Sequence, residues 1–138
     1  MAYLLDTNVL SEFFKREPDE RVLMWFRETD EVLQFISTLT LAEIQKVISR
    51  LDASRRKDEL QDWFDSELVR YSSRVLSFDL EAARIWADVM ATLEKKGRPL
   101  PVIDSLIAAT ALAHDLTLVT RNSPDFAATN VKILDLWA

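Results

Sequence analysis

The sequence predicts a three-layer α/β/α fold with a mainly parallel, five-stranded central sheet. Five short apolar segments have the composition of buried strands, and longer segments with apolar residues at helical spacing lie between them. A regular alternation of strands and helices is typical of a parallel sheet covered by helices on both faces. The chain has 138 residues, of which 49% are hydrophobic and 29% charged. This composition suits one continuous core, so we expect a single domain over residues 1–138.

The N-terminal third begins with a strand from Tyr3 to Leu5, an apolar run that ends at Asp6. Apolar residues recur at helical spacing from Asn8 to Phe14, which predicts a helix directly after the strand. A proline at position 18 followed by two acidic residues predicts the start of another helix. The second strand is predicted from Val32 to Ser37.

The middle of the chain contains two long amphipathic segments. The residues Thr40-Leu-Ala-Glu43 have the spacing of a capping box, which predicts a helix that begins there and ends near Arg50. A further helix is predicted from Arg55 to Tyr71, and a short third strand at Val75 and Leu76. The pattern from Leu80 to Lys96 predicts the next helix.

The C-terminal third begins where Gly97 predicts a helix stop. The segment from Val102 to His114 is almost wholly apolar and predicts a buried helix, interrupted near its start by Asp104. Two more short strands are predicted, from Thr117 to Val119 and from Val131 to Leu134.

The residues that the chain lacks exclude several classes of site. It has no cysteine, which excludes disulfides, thiolate metal sites and a cysteine nucleophile. It has only one glycine, Gly97, whereas the dinucleotide-binding and the phosphate-binding glycine-rich loops each need several, so both are excluded. Its one histidine, His114, cannot build a histidine-rich zinc site. Any metal chemistry must therefore use oxygen ligands.

The charge balance is acidic, with a formal net charge of −6 and a sequence pI near 4.8. No overall positive field attracts nucleic acid, so RNA binding would depend on local patches. Two such patches are present, and either could contact phosphates or be a solvated helix face: Lys46, Arg50, Arg55, Arg56 and Lys57, and Lys95, Lys96 and Arg98. No apolar run approaches the length of a membrane span and no signal peptide is evident, so we expect a cytoplasmic protein.

Four carboxylates stand at positions where parallel sheets bind ligands. Asp6, Glu43 and Asp125 each follow a predicted strand, and each has a structural explanation as a helix cap or a first-turn residue. Asp104 is harder to explain by capping, because it interrupts an apolar helix. Carboxylates brought together repel one another, whereas a divalent cation converts the repulsion into a binding site. Oxygen-only ligation selects Mg²⁺ or Mn²⁺, ions that promote phosphodiester hydrolysis.

Four segments carry a resemblance to a known family. They are Leu4-Leu5-Asp6-Thr7-Asn8-Val9-Leu10, Thr40-Leu-Ala-Glu43, the run from Gly97 through Asp104 to Ala109, and Leu118-Val-Thr-Arg-Asn122-Ser-Pro-Asp125-Phe126. In their order and spacing the sequence resembles a PIN-domain ribonuclease of the VapC toxin type, and the resemblance covers essentially the whole chain.

The resemblance implies a PIN-like domain that cuts RNA with Mg²⁺ or Mn²⁺. It implies Asp6, Glu43 and Asp104 as metal ligands and catalytic residues, with Asp125 as the fourth acid. It implies four supporting residues: Thr7, Asn8, Thr120 and Asn122. It also implies a homodimer and a cognate antitoxin, for which the aromatic residues Phe13, Phe14, Trp25 and Phe26 could form a groove if they do not belong to the core.

Two other functions remain open at this point. The chain could be a non-catalytic α/β module that binds a partner and uses its acids as helix caps. It could also be a small phosphohydrolase with Asp6 as a covalent nucleophile, although Asn8 stands where many such enzymes have a second aspartate. His114, at a helix end, is expected to have an electrostatic role there rather than a catalytic one.

Overall fold

The computed structural model describes residues 1–138 and contains five strands and seven α-helices. The strands are β1 (Tyr3–Leu5), β2 (Gln34–Ser37), β3 (Val75–Leu76), β4 (Thr117–Val119) and β5 (Ile133–Leu134). The helices are α1 (Thr7–Leu10), α2 (Glu20–Glu28), α3 (Thr38–Ser49), α4 (Arg55–Arg70), α5 (Leu80–Lys95), α6 (Val102–Ala113) and α7 (Ser123–Phe126). Strands and helices alternate as predicted.

The five strands form one parallel sheet with the order β3-β2-β1-β4-β5. The chain moves outward from β1 to β3 and then crosses back to place β4 on the other side of β1. Strand order therefore reverses between β1 and β4, where Leu4 pairs with Leu118 and Leu5 with Val119. At such a switch point the two flanking connections leave in opposite directions and open a crevice at the carboxyl ends of the strands.

Alternation along the strands divides the core between the two faces of the sheet. Leu5 and Val119 are fully buried in one cluster, together with residues of α1, α2, α3 and α4. Their neighbours Leu4 and Leu118 are fully buried in the other cluster, with residues of α6. Because successive side chains of a strand point to opposite faces, each short strand contributes to both clusters. The predicted three-layer α/β/α fold is thereby confirmed.

The predicted capping box at Thr40 is wrong. Helix α3 begins at Thr38, and the Ser37 hydroxyl is its N-cap, accepting a hydrogen bond from the Leu39 amide at 3.0 Å. Thr40 lies inside the first turn, fully buried, and its hydroxyl has no hydrogen-bond partner. The strand leads into the helix without a loop, so Ser37, the last residue of β2, takes the cap position. Glu43 is therefore free of a capping role.

Other element boundaries also differ from the prediction. The segment after Asp6 is a single α-turn, α1, followed by a 3₁₀ turn over Ser11–Phe14 instead of one continuous helix. A 3₁₀ turn over Glu31–Leu33 delays the start of β2, which was expected at Val32. The last strand has only two residues, Ile133 and Leu134. Local propensity cannot determine the ends of β2 and β5, because pairing with the neighbouring strands decides them.

The predicted helix stop at Gly97 is confirmed. Gly97 has a φ of +66°, and its amide donates to the Glu94 carbonyl at 3.0 Å. The Arg98 amide donates to the Leu93 carbonyl at 2.8 Å, which completes the two hydrogen bonds of a Schellman motif. This left-handed turn suits glycine and redirects the chain from α5 toward α6.

Three of the four aromatic residues that could form a groove pack against the core instead. Phe14, Trp25 and Phe26 are partly buried against the cluster that contains Leu5. Phe13 is 37% exposed and contacts Phe26 edge to face, with ring centroids 4.9 Å apart. The aromatic surface is thus an outer layer of the core with one exposed ring. None of the helices combines the length and the apolar character that crossing a membrane requires.

Candidate active site

The predicted site lies at the crevice where strand order reverses. β1 ends at Leu5 and β4 at Val119, so Asp6 and Thr120 are the first residues beyond the two adjacent strands. The Asp6 amide still donates to the Val119 carbonyl at 3.0 Å, which fixes the backbone of the aspartate to the neighbouring strand. The two side chains are therefore held at the edge where ligands bind in this type of sheet.

Asp6 is a buried carboxylate with defined hydrogen bonds. It is 3% exposed, and its Oδ1 accepts from the Thr7 amide at 2.8 Å, which makes it the N-cap of α1. Its Oδ2 accepts from the Thr120 hydroxyl at 2.7 Å and from Asn8 Nδ2 at 3.5 Å. Burial raises the pKa of Asp6, and the bonds from Thr120 and Thr7 oppose that rise by stabilising the ionised form. The predicted capping role is real, but it uses only one oxygen.

Thr120 connects the supporting residues to one another. Its hydroxyl donates to Asp6 and accepts from Asn8 Nδ2 at 3.3 Å and from the Asn122 amide at 3.1 Å. One donated and two accepted bonds use the full capacity of a hydroxyl group. Asn8 Oδ1 in turn accepts from the Arg121 amide at 3.1 Å. The first residues after β1 and β4 are thereby joined into one network.

Glu43 reaches the site from α3. Its Oε1 accepts a hydrogen bond from the Thr7 hydroxyl at 2.6 Å. Thr7 thus contacts two of the predicted acids, Asp6 through its amide and Glu43 through its hydroxyl. A charged acceptor strengthens such a bond and fixes the orientation of the carboxylate. Glu43 is half-buried, so its second oxygen remains available for a ligand.

Asp104 and Asp125 complete a cluster of four acids. Asp104 is half-buried in the first turn of α6, and Asp125 is exposed in the first turn of α7. Burial raises the pKa of Asp104 to about 6, with further contributions from the charges of Asp6, Glu43 and Asp125. All three other acids are thus near enough to oppose its ionisation. Such mutual repulsion favours either a bound proton or a bound cation.

The donor set suits a hard divalent ion that keeps part of its water shell. In this arrangement no three acidic side chains converge on one position that a metal ion could occupy. Mg²⁺ does not need them to, because it is commonly held by one or two carboxylates and several waters. The half-buried oxygens of Glu43 and Asp104 would be available to such an ion, and its charge would relieve the repulsion that acts on Asp104.

The comparisons with known proteins agree with this architecture. The family model described as PIN domain matches residues 3–132. The chain belongs to the PIN-domain family. It is 36% identical over 135 residues to a VapC ribonuclease from Sinorhizobium fredii, with 97% of this chain and 96% of the relative covered.

Relatives from Neisseria gonorrhoeae extend this similarity to solved structures. The chain is 32% identical to the toxin FitB over 135 residues, with 97% of both chains covered. The structure of FitAB bound to a DNA fragment contains a chain that superposes with a TM-score of 0.94 at 32% identity, with 99% of this chain and 96% of that chain covered. The PIN domain described here is therefore similar to VapC-type toxins in sequence and in fold.

Not every residue singled out in the sequence belongs to the PIN-domain site. Asn122 precedes α7, and its side chain makes no capping bond there, so only its amide joins the network. His114 follows the last residue of α6 and lies 3.8 Å from Asp79, on the far end of the helix from Asp104. Its imidazole takes no part in the acidic cluster.

Two clefts adjoin the four acids. One, of about 270 Å³, is lined by Thr7, Ala42, Glu43, Lys46, Val47, Arg50 and Ile103. The other, of about 230 Å³, is lined by Arg98, Pro99, Leu100, Pro101, Pro124, Asp125, Ala127 and Ala128. Each cleft contains an acid of the cluster together with at least one cationic side chain. In the sequence, Lys46 and Arg50 belong to one basic stretch with Arg55, Arg56 and Lys57, and the sharing of a cleft with Glu43 was not predicted. Lys46 and Arg50 follow Glu43 by three and seven residues, and this helical spacing could have predicted that all three lie on one face of a helix.

Proposed function

We propose that this protein is the endoribonuclease toxin of a toxin-antitoxin system and hydrolyses RNA phosphodiester bonds with Mg²⁺ or Mn²⁺. The observation that carries the proposal is the cluster of four carboxylates at the strand-order reversal, where three neighbouring charges oppose the ionisation of Asp104. Similarity to relatives named VapC ribonuclease and tRNA(fMet)-specific endonuclease supports the assignment to RNA. We propose that the whole chain, 1–138, acts as one PIN domain in the cytoplasm, where RNA is available.

We assign catalytic and metal-binding roles to Asp6, Glu43, Asp104 and Asp125. The bound ion would orient a water and stabilise charge at the phosphate. Thr7, Asn8 and Thr120 hold the carboxylates of Asp6 and Glu43 in place through the hydrogen bonds described above, and Asn122 contributes its amide. Asp6 accepts hydrogen bonds on both oxygens, so these contacts orient it and oppose the rise of its pKa that burial causes.

The two other functions considered from the sequence have less support. A module whose acids only cap helices would need Glu43 at a helix N-terminus, whereas Glu43 lies in the second turn of α3 and contacts Thr7. A phosphohydrolase with Asp6 as nucleophile commonly has a second aspartate two residues later. Asn8 stands at that position, and its side-chain amide donates to Asp6 and to Thr120.

The similarity to solved toxin-antitoxin structures also supports a proposal about the binding partners of this protein. The structures of FitAB and of VapBC2 from Rickettsia felis are complexes bound to DNA. We propose that this protein binds a cognate antitoxin and forms a homodimer. Light scattering of the purified protein should then give twice the 15.9 kDa of one chain, and a mass of one chain would contradict the homodimer.

The direct test is cleavage of total cellular RNA by purified protein. We expect fragments with MnCl₂ or MgCl₂, none with a chelator, and none from the Asp104→Asn variant in either metal. Asp88→Asn is the matched control, because Asp88 is exposed on α5 and lines neither cleft. Circular dichroism must show that all three proteins are folded. Cleavage by folded Asp104→Asn at the wild-type rate, or cleavage that persists in chelator, would overturn the proposal.

A further inference from the structure

The acidic cluster raises a physical problem for an RNA-cleaving enzyme. Four carboxylates surround the proposed reaction centre in a protein with a net charge of −6, and each phosphate of the substrate is also negative. A divalent ion compensates the charge at the scissile phosphate only. Neighbouring phosphates of the strand need separate cationic contacts, because single-stranded RNA carries one charge on every nucleotide. An RNA strand bound across the acidic cluster therefore requires cationic side chains beside it.

Lys46 and Arg50 are the cations that share a cleft with Glu43. The three residues lie on one face of α3, since positions three and seven residues apart are neighbours along a helix. Arg50 lies about 10.5 Å from Glu43 along the axis, at 1.5 Å rise per residue, and Lys46 lies between them. The row of side chains leads away from the acidic cluster along the cleft.

Both cations are exposed, and neither is paired with a carboxylate. No salt bridge or side-chain hydrogen bond involves Lys46 or Arg50, although six residues of the chain do pair as cations. Two other members of the same basic stretch are hydrogen-bonded elsewhere, because Arg56 donates to the Phe14 carbonyl and Lys57 to the Leu51 carbonyl. Of the whole stretch, only Lys46 and Arg50 line the cleft that contains Glu43.

The remaining lining of the cleft suits a strand of nucleic acid. Val47 is 53% exposed and Ile103 is 40% exposed, and both border the cations within the same cleft. Ribose and base faces can cover such aliphatic groups while the phosphates contact the charges. An acidic protein segment would match the charges equally well. The direct continuity of the cleft with Glu43, a proposed catalytic residue, favours the RNA strand.

We propose that Lys46 and Arg50 bind the RNA phosphates adjacent to the scissile bond on the Glu43 side and position the strand across the acidic cluster. The inference depends on the proposed ribonuclease function. Neither residue contacts the reacting phosphate, so both are positioning residues. Their loss should raise KM much more than it lowers kcat.

The test measures how RNA affinity depends on salt. The probe is a fluorescently labelled, mixed-sequence, single-stranded RNA, and its dissociation constant is measured in chelator across a range of NaCl concentrations. Each lost phosphate contact should reduce the slope of log affinity against log salt by about 0.7, so Lys46→Gln with Arg50→Gln should reduce it by about 1.4. The charge-preserving pair Lys46→Arg with Arg50→Lys should keep the wild-type slope.

A matched control removes the same charges elsewhere. Arg27 on α2 and Arg84 on α5 are exposed, form no salt bridge and line neither cleft, so Arg27→Gln with Arg84→Gln should leave the slope and KM unchanged. Steady-state kinetics with a cleavable RNA in MnCl₂ then measure KM and kcat separately for each variant. If the cleft variant and the control variant lose the same amount of slope, the effect comes from the net charge of the protein and not from this cleft, and the inference is wrong.

Two further outcomes identify which proposal fails. If the wild type cuts RNA but Lys46→Gln with Arg50→Gln retains its salt slope and KM, the strand does not follow this cleft and the present inference alone is wrong. Loss of binding to poly-glutamate in that variant, with RNA affinity intact, would assign the cleft to an acidic protein segment. If the folded wild type neither binds nor cuts RNA, the proposed function fails and this inference fails with it.

Discussion

Individual hydrogen bonds hold one buried aspartate, Asp6, in the site. Asp6 has lost almost all contact with water, and a carboxylate in that position costs several kcal/mol unless donors replace the water. Thr120, Thr7 and Asn8 are those donors. Two of them come from the α1 turn and one from beyond β4, so folding brings the donors to the acid.

Removing the hydroxyl of Thr120 should therefore destabilise the protein. Thr120→Val leaves Asp6 Oδ2 with only the long contact from Asn8, and a hydrogen bond to a charged group contributes about 1.5–3 kcal/mol. Urea denaturation should show a loss of that size. Thr110→Val is the matched control, because Thr110 is equally buried but donates to the Leu106 carbonyl within α6. Equal losses in the two variants would contradict the role of Thr120.

Asp104 should behave in the opposite way, as an acid whose ionisation opposes folding. Its pKa is about 6 in the folded protein against an ordinary value of 3.8, so the folded state binds more protons between these values. Its favourable contribution is complete below about pH 4 and is lost as pH rises through about 6. In chelator at pH 7.5, Asp104→Asn should thus raise stability by about 1 kcal/mol after allowance for solvent screening, or about 3 °C in Tm.

The pH dependence provides the control for this prediction. Well below pH 3.8, Asp104 is protonated in both the folded and the unfolded state, so the advantage of the Asn variant should disappear. Thermal melts of both proteins at low and neutral pH measure it. An Asp104→Asn variant that is less stable than wild type at pH 7.5 in chelator would show that the carboxylate has a structural role.

At the scale of elements, the direct passage of β2 into α3 decides what Glu43 does. Ser37 caps the helix, which moves Glu43 from the third position of a capping box into the second turn, on the face toward Thr7. The N-cap lies three residues earlier than predicted, at Ser37 instead of Thr40, and this shift changes the role of the acid from capping to contact with the site.

This assignment of the helix start is testable by two substitutions. Ser37→Ala should cost about 1 kcal/mol, because the Leu39 amide loses its acceptor. Thr40→Val should be neutral or slightly stabilising, because the buried Thr40 hydroxyl has no partner and a methyl group of similar size removes its desolvation cost. Chemical denaturation measures both. The reverse order of effects would place the cap at Thr40.

At the scale of the whole molecule, strand order concentrates negative charge at one edge of the sheet. Residues separated by more than a hundred positions, such as Asp6 and Thr120, meet there because β1 and β4 are adjacent. Helices α3, α6 and α7 then bring one acid each. The fold pays for this arrangement with mutual repulsion, which a bound cation would relieve.

Metal binding should therefore stabilise the whole protein in a pH-dependent manner. Mn²⁺ at about ten times its dissociation constant should stabilise the wild type by about 1.4 kcal/mol at pH 7.5, or roughly 2–6 °C in Tm. The effect should vanish near pH 4.5, because protons compete with the metal for the carboxylates. Thermal melts with and without MnCl₂ at the two pH values measure it, and NaCl of equal ionic strength is the control. A shift that is the same at both pH values would contradict a carboxylate site.

The fold class was predictable from the amino-acid sequence, because apolar periodicity differs between strands and helices and because five strand candidates alternate with helical segments. It also indicated oxygen-only chemistry, since cysteine is absent and histidine occurs once. The helix stop at Gly97 was predictable too, because a local backbone conformation favours that residue. Each of these properties depends on composition or on neighbours along the chain.

The contacts between residues that are distant along the chain were not predictable in this way. Strand order places Asp6 beside Thr120, and the start of α3 at Thr38 turns Glu43 toward Thr7. The structure also separated Lys46 and Arg50 from Arg56 and Lys57, although all four belong to one basic stretch of the sequence. These outcomes depend on strand pairing and on packing between distant segments. Local propensity carries no information about such contacts, because their free energy comes from burial and hydrogen bonding that exist only in the folded chain.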